Sequence, residues 1–168
     1  VGWTLDLPVG RGRRWGAEMP AWADAVVGGW SVDGLWRAHT GYAITVLAPD
    51  VSLTGARSGR PDRVGSGEGP RVVGPDGTWF DTSAFLLPQL GTFGNAGTGI
   101  VRGPGLNVVD LALGKSFPTG AGSRLELRVE AYNLFNTPVF NAPDRSLTSA
   151  TFGQIRGSQL EREIQLGV

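Results

Sequence analysis

Arg124, Glu126, Arg128 and Glu130 stand at every second position of one segment, SRLELRVEAYNLF. Alternating cations and anions at that spacing form either a ladder of ion pairs along one wall or a contact strip for another polar segment. Asp33, Arg37 and Asp110 lie in neighbouring patterned segments and supply complementary charge. The other candidate chemistries fail on spacing. Gly114-Lys115-Ser116 has the tail of a phosphate-binding loop, but the first glycine of that motif would fall at Val109. The glycines from Gly94 to Gly99 do not form G-x-G-x-x-G after a strand and read as a turn-rich loop. His39 is the only histidine and has no metal or triad partners at useful spacing; it reads as a wall or rim residue. Asp76-Gly77 and Asp81 lack the acidic spacing of a calcium loop, so Asp-Gly reads as a turn. With no cysteine there is no thiolate zinc site, catalytic thiol or disulfide scaffold. No nucleophile, base and oxyanion set can be assembled, so no enzyme, cofactor or metal is expected. Fifteen basic residues balance 15 acidic ones, against the basic surface of a nucleic-acid binder.

The elements that carry these residues follow from the hydrophobic period. In Ser123–Phe135 the odd positions (Leu125, Leu127, Val129, Ala131, Phe135) are apolar and the charges are all even, which is a strand. Asn107–Phe117 alternates likewise, with Val109, Leu111, Leu113 and Phe117 on one face and Asp110 on the other. Pro118–Gly122 joins the two as a hairpin. Gly29–Val46 reads as one long strand, with Trp30, Val32, Trp36, Tyr42, Ile44 and Val46 on its apolar face. Val1–Leu7 and Glu163–Val168 give a fourth and a fifth strand, all antiparallel. The Pro8–Gly28 connection carries Arg11, Arg13 and Arg14, then one or two helical turns after Pro20. Leu47–Leu106 holds 13 of the 27 Gly and 6 of the 11 Pro, too long for a structureless loop in a compact soluble domain. Asn136–Leu160 is a second long polar connection.

Strand lengths, aromatic placement and loop asymmetry favour a transmembrane barrel over a soluble sandwich. Trp30 to Tyr42 is twelve steps, which at ~3.3 Å each and a tilt near 45° is about 28 Å, close to the ~25 Å apolar band of such barrels. Trp30, Tyr42, Phe117 and Phe135 would form a lipid-facing girdle. Lys115 is the one charge on the lipid face of the two best strands, near a turn where it can snorkel. A one-residue slip would put four charges into lipid, at roughly 2–4 kcal/mol for each cation near the midplane, so register is strongly fixed.

The stretches DLPVGRGRRW (Asp6–Trp15), VVGGWSVDGLWRAHTGYAITV (Val26–Val46), WFDTSAF (Trp79–Phe85), GTFGNAGTGIVRGPGLNVVDLALGKSF (Gly91–Phe117), LRVEAYNLFNTPVFNAP (Leu127–Pro143), TFGQI (Thr151–Ile155) and REIQLGV (Arg162–Val168) occur in that order. With them the chain resembles the C-terminal part of TonB-dependent outer-membrane receptors. The resemblance is to the acidobacterial-like kind with a carboxypeptidase-regulatory-like N-terminal domain. It implies an all-β, antiparallel transmembrane barrel of about 22 strands, of which residues 1–168 are about five, with one very long extracellular loop. It implies a location in the bacterial outer membrane and TonB-driven uptake of a scarce ligand. Partners would be outer-membrane lipid, the plug domain of the same parent chain, the TonB complex and a small or oligomeric ligand, with no nucleic acid. The plug and TonB box are absent here and the last strand stops short of the usual terminal aromatic, so a fragment is expected. On this reading Pro118–Gly122 and Pro8–Gly28 are periplasmic, and Leu47–Leu106 and Asn136–Leu160 are extracellular.

Two roles are then expected. Asp33, Arg37, Asp110, Arg124, Glu126, Arg128 and Glu130 line the lumen wall or touch the plug. Trp79, Phe80, Asp81, Phe85, Phe93, Asn95 and Arg102 in the long loop are ligand candidates, although Trp79, Phe80, Phe85 and Phe93 read first as a satellite core that folds the loop and only alternatively as a ligand-capture surface. The alternative function is a binding or adhesion barrel without transport.

Overall fold

The computed structural model describes residues 1–120 and 122–168. In chain order its elements are β1 (Gly2–Asp6), α1 (Ala21–Val27), β2 (Trp30–His39), β3 (Ala43–Ile44), β4 (Asp62–Arg63), a 3-10 turn (Thr82–Ala84), β5 (Phe85–Leu86), β6 (Val101–Arg102), β7 (Leu106–Gly120), β8 (Ser123–Tyr132), β9 (Val139–Phe140), β10 (Ser158–Gln159) and β11 (Glu163–Gly167). They divide into two compact units.

The first unit comprises Val1–Ala38, Asn107–Pro138 and Leu160–Val168. Its five-stranded sheet has the order β1-β2-β7-β8-β11. Directly opposed residues share a face, so the registers show how the faces are composed. Trp3 opposes Gly34 and Asp6 opposes Ser31; Leu113 opposes Val129 and Gly114 opposes Arg128; Leu166 opposes Val129. Leu113, Val129 and Leu166 thus form one cross-strand row on the apolar face. Trp3 lies over Gly34, in the space a Cβ there would take, so the glycine's missing side chain is covered by a ring. The ten residues of β2 and of β8 match the ~9–11 residues a tilted strand needs to cross a bilayer. The β7–β8 pairing runs to Gly120 opposite Ser123, with a register shift after Pro118. Of the expected Pro118–Gly122 hairpin, Ala121 lies outside the described residues.

The helical turn expected after Pro20 is α1, with Pro20 in extended conformation at its N-cap. Such a position suits proline, which has no N–H to lose.

The long strand expected over Gly29–Val46 ends at His39. Beyond it the chain passes through Gly41, where a side chain would meet the Gly103 carbonyl, and Ala43–Ile44 pairs instead with Val101–Arg102. Tyr42 is therefore not on a strand of the five-stranded sheet, and the Trp30–Tyr42 girdle span is corrected: Tyr42 belongs to the second unit. Phe135 also lies beyond its expected strand, because β8 stops at Tyr132. The stop is made by Asn133 and Asn136, both left-handed at φ 50°, a region asparagine tolerates better than most residues.

The second unit comprises His39–Leu106 and Val139–Gln159, so both long connections fold together. Leu47 N–H donates to the Arg145 carbonyl (2.9 Å), Leu147 N–H to Leu47 (2.8 Å) and Trp79 N–H to Gly153 (2.8 Å). Its core is Ile44, Val46, Phe80, Ala84, Phe85 and Val101, with Trp79, Ile100, Leu147 and Phe152 packed against it. Three phenylalanines meet edge to face: Phe80–Phe152 at 5.2 Å, Phe80–Phe85 at 5.9 Å and Phe85–Phe152 at 6.3 Å.

Candidate functional site

The polar face of the five-stranded sheet gathers the charged residues that the alternation singled out. Arg128 sits on β8 opposite Gly114 of β7, and its guanidinium reaches Asp33 of β2 at 3.2 Å and Glu130 at 2.6 Å. The bridge from β8 to β2 crosses β7, and β7 permits it by carrying Ala112 and Gly114 on that face. A Cβ on Gly114 would meet Ser31 Oγ at 2.6 Å and Glu126 Oε1 at 3.4 Å. Arg37 pairs with Asp110 at 2.9 Å. Asp110 also accepts the Asn133 N–H at 2.8 Å, which ties the charged row to the end of β8. Arg124 and Glu126 are exposed and form no ion pair among the described residues; they border a cavity of about 690 Å³ with Asp6, Arg11, Asp24 and Ser31. Half-exposed pairs of this kind contribute ~0–1 kcal/mol each. Their effect is to fix which face is wet, since a register slip would carry all of them onto the apolar, lipid-side face.

Two residues of this face escaped the sequence reading. The Tyr132 hydroxyl donates to Glu130 Oε2 at 2.6 Å; its even position beside Glu130 was the available signal. Asn133, just past the end of β8, is a buried hub. Its amide donates to the carbonyls of Thr137 (3.0 Å) and Leu160 (2.6 Å) and accepts the Thr137 N–H (2.9 Å).

The opposite face is apolar and uncovered. Leu125 is 43% exposed, Ile164 63% and Leu166 80%. Trp30 and Phe117 stand at one end of it. Lys115 does not snorkel outward. It is 4% exposed, its Nζ donates to the Gly28 carbonyl, and it lies 4.8 Å from the Phe117 ring centroid and 5.6 Å from that of Trp30. Two aromatic faces and a carbonyl stand in for water around the ammonium.

The long-loop candidates separate by burial. Phe80 and Phe85 are 1% and 3% exposed in the core of the second unit, as the satellite-core reading expects, and their alternative role as ligand candidates is corrected. Trp79 packs on that core and donates its indole N–H to the Arg102 carbonyl at 2.7 Å. Asp81 caps the 3-10 turn by accepting from Ser83 N–H (3.0 Å) and Oγ (2.6 Å). Asn95 accepts the Arg63 N–H at 2.7 Å and so braces β4. Phe93, 74% exposed, and Arg102 remain on the surface. Phe152 was not foreseen; it is one of two aromatics, with Phe140, in a polar connection. Two carboxylates in this unit are held below the ordinary range. At Asp144 burial pushes the carboxyl up, but the Ser149 and Thr151 hydroxyls and the Ser146 N–H pull it further down. At Asp50 the Ser52 hydroxyl and N–H lower it. Among the described residues no acidic or histidine cluster could hold a metal ion.

An antiparallel sheet with bilayer-length strands, one charged face and one exposed apolar face is the wall of an outer-membrane β-barrel. Residues 1–165 match the family model described as "Outer membrane beta barrel domain", and the chain belongs to that family. That places it in the bacterial outer membrane. No curated protein and no solved structure matches it.

Proposed function

We propose that residues 1–168 are the C-terminal portion of a TonB-dependent receptor barrel, which captures a scarce ligand with its extracellular module and passes it through the lumen. The observation that carries this reading is the charged face. Arg128 of β8 pairs with Glu130 on its own strand and reaches across β7 to Asp33 of β2, and Arg37 of β2 pairs with Asp110 of β7, through partly exposed ion pairs. Small barrels fill their interior with packed side chains, whereas a wall of paired charge suits a wide, wet lumen that holds a polar plug. The ordered GNAG, RGPG and YNLFN segments support the same reading. On it, Phe93 and Arg102 are the exposed loop residues that would meet ligand, and lipid, plug, TonB and ligand are the partners.

The test uses the full-length protein in its native host. Site-specific cross-linking to TonB is expected, and Arg128→Ala with Glu130→Ala is expected to raise leakage of a bulky antibiotic as the plug loosens. A full-length polypeptide with no plug domain and no TonB cross-link would refute transport and leave an adhesion barrel. Unchanged leakage would remove the plug-contact role of the two residues.

A further inference from the structure

The Pro8–Gly28 connection is built more firmly than a strand-to-strand turn requires. Gly10 N–H donates to the Trp15 carbonyl and Trp15 N–H to Pro8, both at 2.9 Å. Arg11 N–H donates to Asp24 Oδ1 at 2.7 Å, which binds the arginine-rich turn to α1. The Trp30 indole donates to the Val26 carbonyl at 2.9 Å, and Lys115 holds the Gly28 carbonyl. These bonds fix the turn to the end of the sheet where Trp30 and Phe117 mark the apolar face.

What the turn then displays is apolar and cationic. On α1, Ala21, Asp24 and Ala25 line the cavity beside the sheet's polar face. At 100° per residue Trp22 and Val26 fall on the other side. They are 75% and 63% exposed, although the indole ring surface and a branched aliphatic chain are disfavoured in water. Trp15 is also exposed, with the Arg14 guanidinium stacked 5.8 Å from its ring centroid. Arg11, Arg13 and Arg14 are all exposed, with Arg11 and Arg13 bordering that same cavity; Asp24 accepts the Arg11 N–H, which leaves Glu18 as the exposed acid of the turn.

We infer that this turn and α1 form an interfacial anchor that binds anionic phospholipid of the periplasmic leaflet. Trp15, Trp22 and Val26 enter the headgroup–acyl boundary, and Arg11, Arg13 and Arg14 bind lipid phosphates. Three arguments select that occupant. Outer-membrane barrels place their shorter turns in the periplasm, and this turn shares its end of the sheet with the β7–β8 hairpin, since Ser116 N–H near the end of β7 donates to the Gly29 carbonyl just before β2. Its surface continues the lipid-facing apolar face through Trp30. Its exposed side chains have the aromatic-plus-arginine composition that suits a membrane boundary, and cations are drawn to an anionic lipid surface. The inference rests on the barrel assignment, not on the receptor type.

The experiment uses the full-length barrel in a cysteine-free background, which for these 168 residues is already met. A nitroxide at Val26→Cys is read by collision with oxygen and with a water-soluble nickel chelate. The bilayers are phosphatidylethanolamine alone and phosphatidylethanolamine with phosphatidylglycerol. A second label at Leu127→Cys, on the apolar sheet face, reports whether the barrel has inserted. With Leu127 reading lipid, Val26 is expected to favour oxygen in the phosphatidylglycerol bilayer. That preference should be lost in the neutral bilayer and in the variant Arg11→Gln, Arg13→Gln, Arg14→Gln. A Val26 label open to nickel in both bilayers, closed to both reagents, or lipid-exposed irrespective of phosphatidylglycerol and the arginines overturns the inference. A Leu127 label that reads water in both bilayers removes the inference's premise and overturns it as well.

Discussion

Truncating Phe80 tests whether the second unit is a folded module or a pair of loops resting on each other. Its ring is 1% exposed and meets both Phe152 (5.2 Å) and Phe85 (5.9 Å) edge to face. Phe80 and Phe152 come from the two different long connections, so this contact joins segments some seventy positions apart. Phe80→Ala removes a fully buried ring and leaves a cavity, at a cost of about 3–5 kcal/mol. If the unit opens as one cooperative body, its opening constant rises roughly a hundred- to several-thousand-fold, since ~1.4 kcal/mol is tenfold. Hydrogen exchange on the full-length protein in a bilayer reads this directly. Protection should fall by that factor in residues 79–86, 99–103 and 144–153 together, while residues 107–117 and 125–131 keep theirs. The double variant with Phe152→Ala should show a coupling of ~0.5–1.5 kcal/mol. Loss of protection confined to residues 79–86 would refute the shared core, because two independent loops have no reason to open together.

Three further outcomes follow from the same geometry. Asp110→Ala strands the Asn133 N–H and frees Arg37; it should destabilise the 133–137 turn by about 1–3 kcal/mol, seen as faster exchange there, whereas a loss of less than a few tenths would show that the turn does not depend on Asp110. Because Asp144 is held below its ordinary 3.8, its contribution is complete above that pH and is lost as pH falls through the lowered value; pepsin cleavage within 144–154 should rise only below pH 3.8, and Asp144→Asn should flatten that rise. Lys115→Met keeps the apolar stem and removes the bond to Gly28; trypsin cleavage at Arg11–Arg14 should accelerate several-fold, and an unchanged rate would show that the other bonds suffice.

The five strands were legible because a strand with lipid on one side and water on the other is the strongest period-2 signal a sequence can carry. Arg124, Glu126, Arg128 and Glu130 set the register by their alternation alone. The same period misled at Ile44 and Val46. They continue the alternation of Trp30, Val32 and Trp36, but their apolar side chains face a protein core. Alternation reports that one face is dry without saying whether lipid or protein dries it. The joint folding of the two long connections was invisible for a different reason. Its bridges, such as Leu47 to Ser146, link residues with no local pattern between them, and two-residue strands such as β3 and β6 are too short to show a period. Within the polar face the ion pairs were foreseeable by residue type, but the choice of Asp33 for Arg128 needed the small residues of β7 that let the two side chains meet.

Exposure separates the two apolar populations and explains why both exist in one short chain. In the second unit Phe80, Phe85 and Val101 are nearly inaccessible, and edge-to-face rings fill the space between irregular segments. On the sheet Leu125, Leu127, Val129, Ile164 and Leu166 stand open, where each Å² left in water forgoes about 25 cal/mol. Among the described residues no element covers them in their own unit, yet the register of every pairing keeps them on one side. Sequence and register agree on an arrangement that water penalises and a bilayer does not, so the uncovered face belongs to lipid. The same reasoning extends to the exposed Trp22 and Val26 below it: side chains that water disfavours, held outward by bonds from Trp30 and Lys115, are placed for the boundary of that same solvent.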